Sequence, residues 1–236
     1  MAESHSAAAD PHLLALADGI WSFNGPLAVG GAHVGHRMTV VQLEGGGLWL
    51  HSPVLLDSSR RAELDQLGPV EHLVAPSTFH DLYWSENLAA YPQARSYCAP
   101  ALAGEHPELS FDATLGPAPE PAWAGQLDQI ILAGMPKINE VVFLHQASGT
   151  LIVADAIFTI FKPANLTTKL ILSLTGTNGK VAVSRLFRHF VQDATALRRS
   201  IDQVLAWDFD RLVVGHGQVL DSGAHQAFAK AFRFLD

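Results

Sequence analysis

Apolar and polar positions in this chain mostly follow short, strand-like runs, and a helical period takes over in only a few stretches. Ile20-Trp21-Ser22-Phe23 predicts a first strand, followed by a Gly/Pro-rich loop over residues 25–35. Residues 38–43 and 48–51 flank Gly45-Gly46-Gly47, the pattern of a hairpin. Ser58–Leu67 reads as a helix, with Ser58 or Ser59 as its cap and Gly68-Pro69 as its stop. Val70–Ala75 is the next strand, ending at Pro76, before a helix from His80 or Leu82 to Tyr91 and a strand over 94–98. Residues 99–125, rich in Pro, Gly and Ala, read as a long surface connection. Strands follow over 128–132, 140–144 and 150–154. Residues 184–207 carry one helical pattern, with Leu197, Ile201, Val204 and Leu205 at i, i+4, i+7 and i+8. A strand then runs into His216, and residues 224–234 close the chain as a helix.

Two halves with several strands each and helices outside predict an α/β fold, an αββα sandwich. Residues 1–12 read as a flexible lead and 13–236 as a single domain, a size one core can fill. A 48% hydrophobic, 16% charged chain fits a compact globule. The net charge of −8, with no Lys/Arg cluster, speaks against a nucleic-acid partner and leaves a small-molecule substrate as the expectation. Cys98 is the single cysteine, so an intrachain disulfide and a thiolate metal cluster are excluded. The first residues lack a basic segment followed by an apolar one, and no apolar run reaches membrane length. The expectation is a cytoplasmic protein without a membrane association.

The chemistry-bearing residues stand where strands end. His145 and Asp155 lie ten residues apart across a Ser148-Gly149-Thr150 turn, and His216 sits between two glycines after an apolar run. Imidazole and carboxylate together suit zinc, iron or manganese. A core histidine at 145 and a capping aspartate at 155 are the alternative. His80 and Asp81 follow the 70–75 strand after a short polar turn; they serve either a site at the strand ends or the first turn of a helix. His51 ends a strand and could orient a ligand from behind, or simply satisfy a turn. His33 and His36, in the Gly-rich loop with Arg37, could gate a site or hold an anion, but the ordinary loop reading is preferred. Gly176 to Val181 lacks the spacing of a phosphate loop, and Ser148 lacks the elbow of a serine hydrolase.

Residues 145–158 resemble the segment of the metallo-β-lactamase superfamily that supplies a ligand His and then a metal-bridging Asp, and residues 208–217 resemble its last motif, a strand running into Gly-His-Gly. Leu50-His51-Ser52-Pro53, where an Asp-x-Gly strand end would stand, and Val74-Ala75-Pro76 point to a divergent, little-characterised branch. The resemblance spans about residues 18–220 and implies two mixed sheets flanked by helices with metal at their edges. It also carries a departure, because the superfamily's H-x-H-x-D-H stretch is here Ser77-Thr78-Phe79-His80-Asp81-Leu82. What the resemblance implies is therefore one divalent metal ion, zinc or iron, on His80, His145, Asp155 and His216, with Asp81 as general base and His51 behind the ligands. A mononuclear metal-dependent hydrolase is the first expectation. A non-haem iron oxidoreductase and a metal-free binding protein are the alternatives.

Overall fold

A computed structural model describes residues 12–236; the expected lead over 1–12 falls, except for His12, outside the described residues. The strands and helices come in the order β1 (Leu14–Ala17), β2 (Ile20–Gly25), β3 (Ala28–Val29), β4 (Ala32–His33), β5 (His36–Gln42), β6 (Leu48–His51), α1 (Ser58–Leu67), β7 (Val70–Ala75), α2 (Trp84–Ala90), β8 (Arg95–Cys98), α3 (Leu102–Glu105) and β9 (Ala113–Thr114). The second half contributes β10 (Leu127–Ile131), β11 (Val141–His145), β12 (Thr150–Ile152), β13 (Phe158–Thr159), α4 (Leu166–Thr175), α5 (Arg185–His189), α6 (Ala194–Leu205), β14 (Arg211–Val213), β15 (His216–Gly217) and α7 (Ala224–Ala231).

Among the described residues these strands form a seven-stranded sheet, β1-β2-β5-β6-β7-β8-β9, and a four-stranded sheet, β10-β11-β12-β14. Both are mixed. In the first, β6, β7, β8 and β9 run parallel and the rest antiparallel. In the second, only β12 and β14 are parallel. The sandwich follows from which face each apolar set covers. Trp49, Val74 and Tyr97 of the first sheet meet Trp123, Phe143, Ile152 and Val213 between the sheets. Leu50, Leu64, Leu73 and Trp84 pack α1 and α2 on the outer side of that sheet. Val142, Leu151, Leu197, Ile201, Val204 and Phe228 do the same for α6 and α7 on the other sheet. A truncation such as Ile201→Ala, at a fully buried position, is expected to cost about 2–5 kcal/mol.

Three expectations need correction. Residues 99–125 are no bare surface connection: they hold α3 and β9, and Leu115 and Trp123 are buried. The helical stretch 184–207 is two helices, because Asp193 turns extended and its side chain caps α6 by accepting from Ala196 N–H. The loop after β2 contains the β3–β4 hairpin, which rests on α4. Among the described residues no helix is long and apolar enough to cross a membrane.

Candidate metal centre

Three strand ends deliver the site, two of them from the parallel pair β12 and β14. β7 stops at Ala75 because Pro76 cannot donate to the ladder, and its carbonyl instead accepts from Val141 N–H. The chain then folds over Ser77, Thr78 and Phe79, pinned by Thr78 Oγ1 donating to the Lys137 carbonyl at 2.6 Å, and delivers His80 into the interior. β12 continues to Asp155, and β14 to His216, where β15 pairs with β13. Ligands gather beyond the carboxyl ends of strands in open α/β sheets for the same topological reason.

There the side chains converge. His80 Nε2 lies 3.3 Å from Asp155 Oδ2, and His216 Nε2 lies 3.3 Å from Asp155 Oδ1. One ligand atom from each of the three falls within 4.8 Å of the others. Gly215 makes this approach possible: a methyl group there would stand 2.8 Å from the Ala154 carbonyl and 2.9 Å from His80 Cε1.

The far sides of the rings are held as well. His216 Nδ1 is 2.6 Å from the Gly35 carbonyl. A carbonyl only accepts, so Nδ1 carries a proton, and Nε2 faces Asp155 either as a donor or with a lone pair open to a cation between them. Two lone-pair atoms facing each other at 3.3 Å repel unless a proton or a cation lies between them. His80 Nδ1 is 2.5 Å from Ser52 Oγ, and the tautomer that donates to this hydroxyl turns its Nε2 lone pair the same way. Ring N–H groups anchored on a carbonyl or hydroxyl are the usual outer arrangement of metal-binding histidines. The residues present therefore fit a cation.

Asp155 is largely shielded from solvent, which alone would raise its pKa, but His80 and His216 hold the carboxyl well below the usual carboxylate range. Ser77 Oγ also donates to it at 3.2 Å. Behind it lies Glu140, whose carboxylate oxygens accept from the backbone N–H groups of Ala154 and Asp155 at 2.8 and 2.9 Å. Burial, and then the charge of Asp155, pushes the Glu140 carboxyl up to about 8. Arg37 ties the two sheets together at the same place. Its guanidinium donates to the carbonyls of Val214 and Gly217 at 2.7 and 2.8 Å, on both sides of His216.

The structure brings together His80, Asp155 and His216 and leaves out three other expected residues. His145 lies at the opposite end of its hairpin. It pairs with Thr150 beside the turn, whereas Asp155 lies beyond Ile152, which faces Phe143. At about 3.3 Å per residue, the strand puts His145 on the order of 15 Å from the Glu140 end that touches Asp155. An antiparallel hairpin brings equal distances from its turn together, and residues 145 and 155 are at unequal distances. His145 bonds Ser148 Oγ at 2.8 Å instead.

Asp81 is not among the gathered ligand atoms; its carboxylate lies 3.8 Å from His106 Nδ1 instead. His51 packs its ring against Trp49 and Phe143 in the inter-sheet core, and neither ring nitrogen has a hydrogen-bond partner. Burial, then His80 and His36, holds its pKa well below 6.5. The anchoring role expected of it falls to the next residue, Ser52, whose backbone is in the left-handed region (φ 57°).

His36 was the least expected member. It opens β5, stacks on His80 with ring centres 5.0 Å apart, and bonds the Ser52 carbonyl through Nε2. Burial, then the nearby His80 and His216, lowers its pKa to about 3, so its ring is neutral near pH 7. Its position at the start of a strand next to the Ser52 bend was the available signal. A Gly-rich setting disguised it.

This fold and trio define a divergent member of the metallo-β-lactamase-like fold. A metallo-beta-lactamase from Pontibacter korlensis superposes with a TM-score of 0.66 at 14% identity, over 95% of this chain and 98% of that one. FIM-1 from Pseudomonas aeruginosa, in its mono-zinc form, gives 0.63 at 12% identity, over 94% and 95%. A metallo beta lactamase from Hirschia baltica gives 0.62 at 10%, over 94% and 97%. At such identities the likeness concerns the fold. A family model described as a domain of unknown function (DUF4336) matches residues 17–173, and the chain belongs to that family. No curated protein matches it.

Proposed function

We propose that this protein is a metal-dependent hydrolase with a mononuclear centre on His80, Asp155 and His216. The observation that carries this reading is the meeting of two buried imidazoles on one half-buried carboxylate, with the Nδ1 proton of His216 committed to the Gly35 carbonyl. The mono-zinc form of FIM-1 supports zinc as the ion. A divalent cation supplies Lewis acidity toward a carbonyl or phosphoryl oxygen and makes water nucleophilic near neutral pH.

The chain's own groups do the rest. Asp155 contributes the negative charge, and Ser77 and the Glu140-held backbone keep its carboxylate oriented. Ser52 and the Gly35 carbonyl fix the two rings, so little reorganisation accompanies binding. Phe158 stacks on His216 at 5.1 Å and shields it from water, which strengthens charge interactions at the trio.

Two histidines and one carboxylate also suit non-haem Fe(II), so an iron oxidoreductase is the second reading. Elemental analysis after chelator-free purification, followed by assays with ester and phosphodiester panels, separates them. Zinc or manganese near one equivalent with hydrolysis supports the first. Iron with oxygen consumption supports the second. Protein that takes up no stoichiometric metal when dialysed against zinc, manganese or Fe(II) would overturn both and favour a metal-free binding protein.

A further inference from the structure

A cavity of about 370 Å³ opens directly onto the trio, with Asp155 and His216 in its wall. The rest of its lining comes from separate elements. Val29 and Ala32 come from the β3–β4 hairpin, Ile171 and Leu172 from α4, and Phe79 and Leu186 from the loops and helix opposite. Val29, Phe79, Leu82 and Leu186, all of which line it, are 57, 50, 49 and 59% exposed. Exposed large apolar groups gathered in one place mark a binding surface more often than chance does. This one is a concave pocket of ligand size rather than a flat patch.

Its charge is as informative as its shape. Among the described residues no Lys or Arg lines it, Asp155 is its one acidic side chain, and Thr175, Thr177 and Ser184 add hydroxyl-bearing residues to the lining. Arg37 is committed to the carbonyls around His216, and Arg185 to the Leu174 carbonyl. Apart from an ion on the trio, a phosphodiester or other anionic substrate would find no counter-charge along this wall. An uncharged alkyl chain would displace water from apolar carbon along its whole length.

From this we infer that the cavity seats the alkyl chain of a neutral acyl compound, a carboxylic ester or lactone, with its carbonyl carbon at the His80–Asp155–His216 end. The inference rests on the metal-centre reading for the reaction but not for the seating of the chain. In the reaction, water adds to the acyl carbon and the acyl C–O bond breaks. The acyl group leaves as a carboxylic acid, and the water's other proton goes to the departing alkoxide oxygen, giving an alcohol.

Two measurements on the zinc-dialysed full chain test it. The first is displacement of the neutral fluorophore N-phenyl-1-naphthylamine by straight-chain alcohols from butanol to dodecanol. Affinity is expected to rise roughly threefold to fourfold per methylene and then level off once the cavity is filled. Leu186→Glu and Val29→Glu, both at exposed positions, are expected to weaken decanol binding at least tenfold. The second is kcat/KM for p-nitrophenyl esters of increasing acyl length against bis-p-nitrophenyl phosphate, with long-chain esters favoured. Binding that does not depend on chain length, or that neither Glu variant weakens while both melt like the parent, overturns the inference. If alcohols bind with the expected chain-length dependence but no ester is cleaved, the seating stands and the hydrolase reading falls. If esters are cleaved with a flat length profile, the hydrolase reading stands and this inference falls.

Discussion

The two ends of the β11–β12 hairpin carry similar residues and do different things. At the turn end, His145 meets Ser148 and Thr150 beside a broad, open cleft that also includes Asp18 and Glu44. At the other end, Asp155 meets two imidazoles, a serine hydroxyl and a backbone gripped by a buried glutamate. The difference is topological. The Asp155 end lies where β7, β12 and β14 all finish, so three chain segments can each lend a side chain. The turn end is served by one hairpin and has polar neighbours that satisfy His145 locally. A histidine and an aspartate at strand ends make a site only when the ends coincide.

The sharpest way to break this contrast is at the carboxylate. Asp155→Ala should abolish stoichiometric zinc binding in equilibrium dialysis, a loss well beyond the 10–100-fold expected from disturbing an outer partner. Retained binding at one equivalent would place the ion elsewhere. Ser52→Ala addresses such an outer partner, and the expected loss in zinc affinity is 10–100-fold with the fold intact by circular dichroism.

Arg37→Ala tests whether the sheets must be tied at this end. The buried guanidinium is lowered to about 10 by burial, so it stays charged at neutral pH, and its removal strands two carbonyls. Urea unfolding should show a loss of about 3 kcal/mol.

Acid should act selectively on the same end. The fold holds His36 near a pKa of 3 against 6.5, so the unfolded chain binds a proton that the folded chain refuses. Stability of the metal-free protein therefore falls as pH drops from about 6.5 toward 3. His36→Gln should flatten that limb, and an unchanged profile would assign the loss to other groups.

The smallest effect belongs to the turn end. His145→Ala gives up one hydrogen bond and should cost about 1 kcal/mol with zinc affinity unchanged.

The elements that could be read from the chain are those whose signals are local. Ser58–Leu67 and Val70–Ala75 stand where period and Gly-Pro stop placed them, although the helix is capped by Asp57, which accepts from Arg60 N–H, and not by Ser58 or Ser59. His216 and Asp155 were legible because each follows an apolar run with a distinctive end. His36 and Ser52 were not, since the β5–β6 hairpin that sets them side by side joins the site only through residues far along the chain, Ser52 meeting His80 and Gly35 meeting His216. His145 misled for the converse reason: its local pattern matched a ligand motif, but the register of its hairpin sent it to the wrong end. Residues 99–125 misled because Pro and Gly disguise how firmly Leu115 and Trp123 are buried.

The most direct test of which end holds the ion is zinc stoichiometry measured side by side on the parent chain, His145→Ala and His216→Ala. The account predicts about one zinc per chain for the parent and His145→Ala, and none retained by His216→Ala. Loss of zinc from His145→Ala with retention by His216→Ala would contradict it.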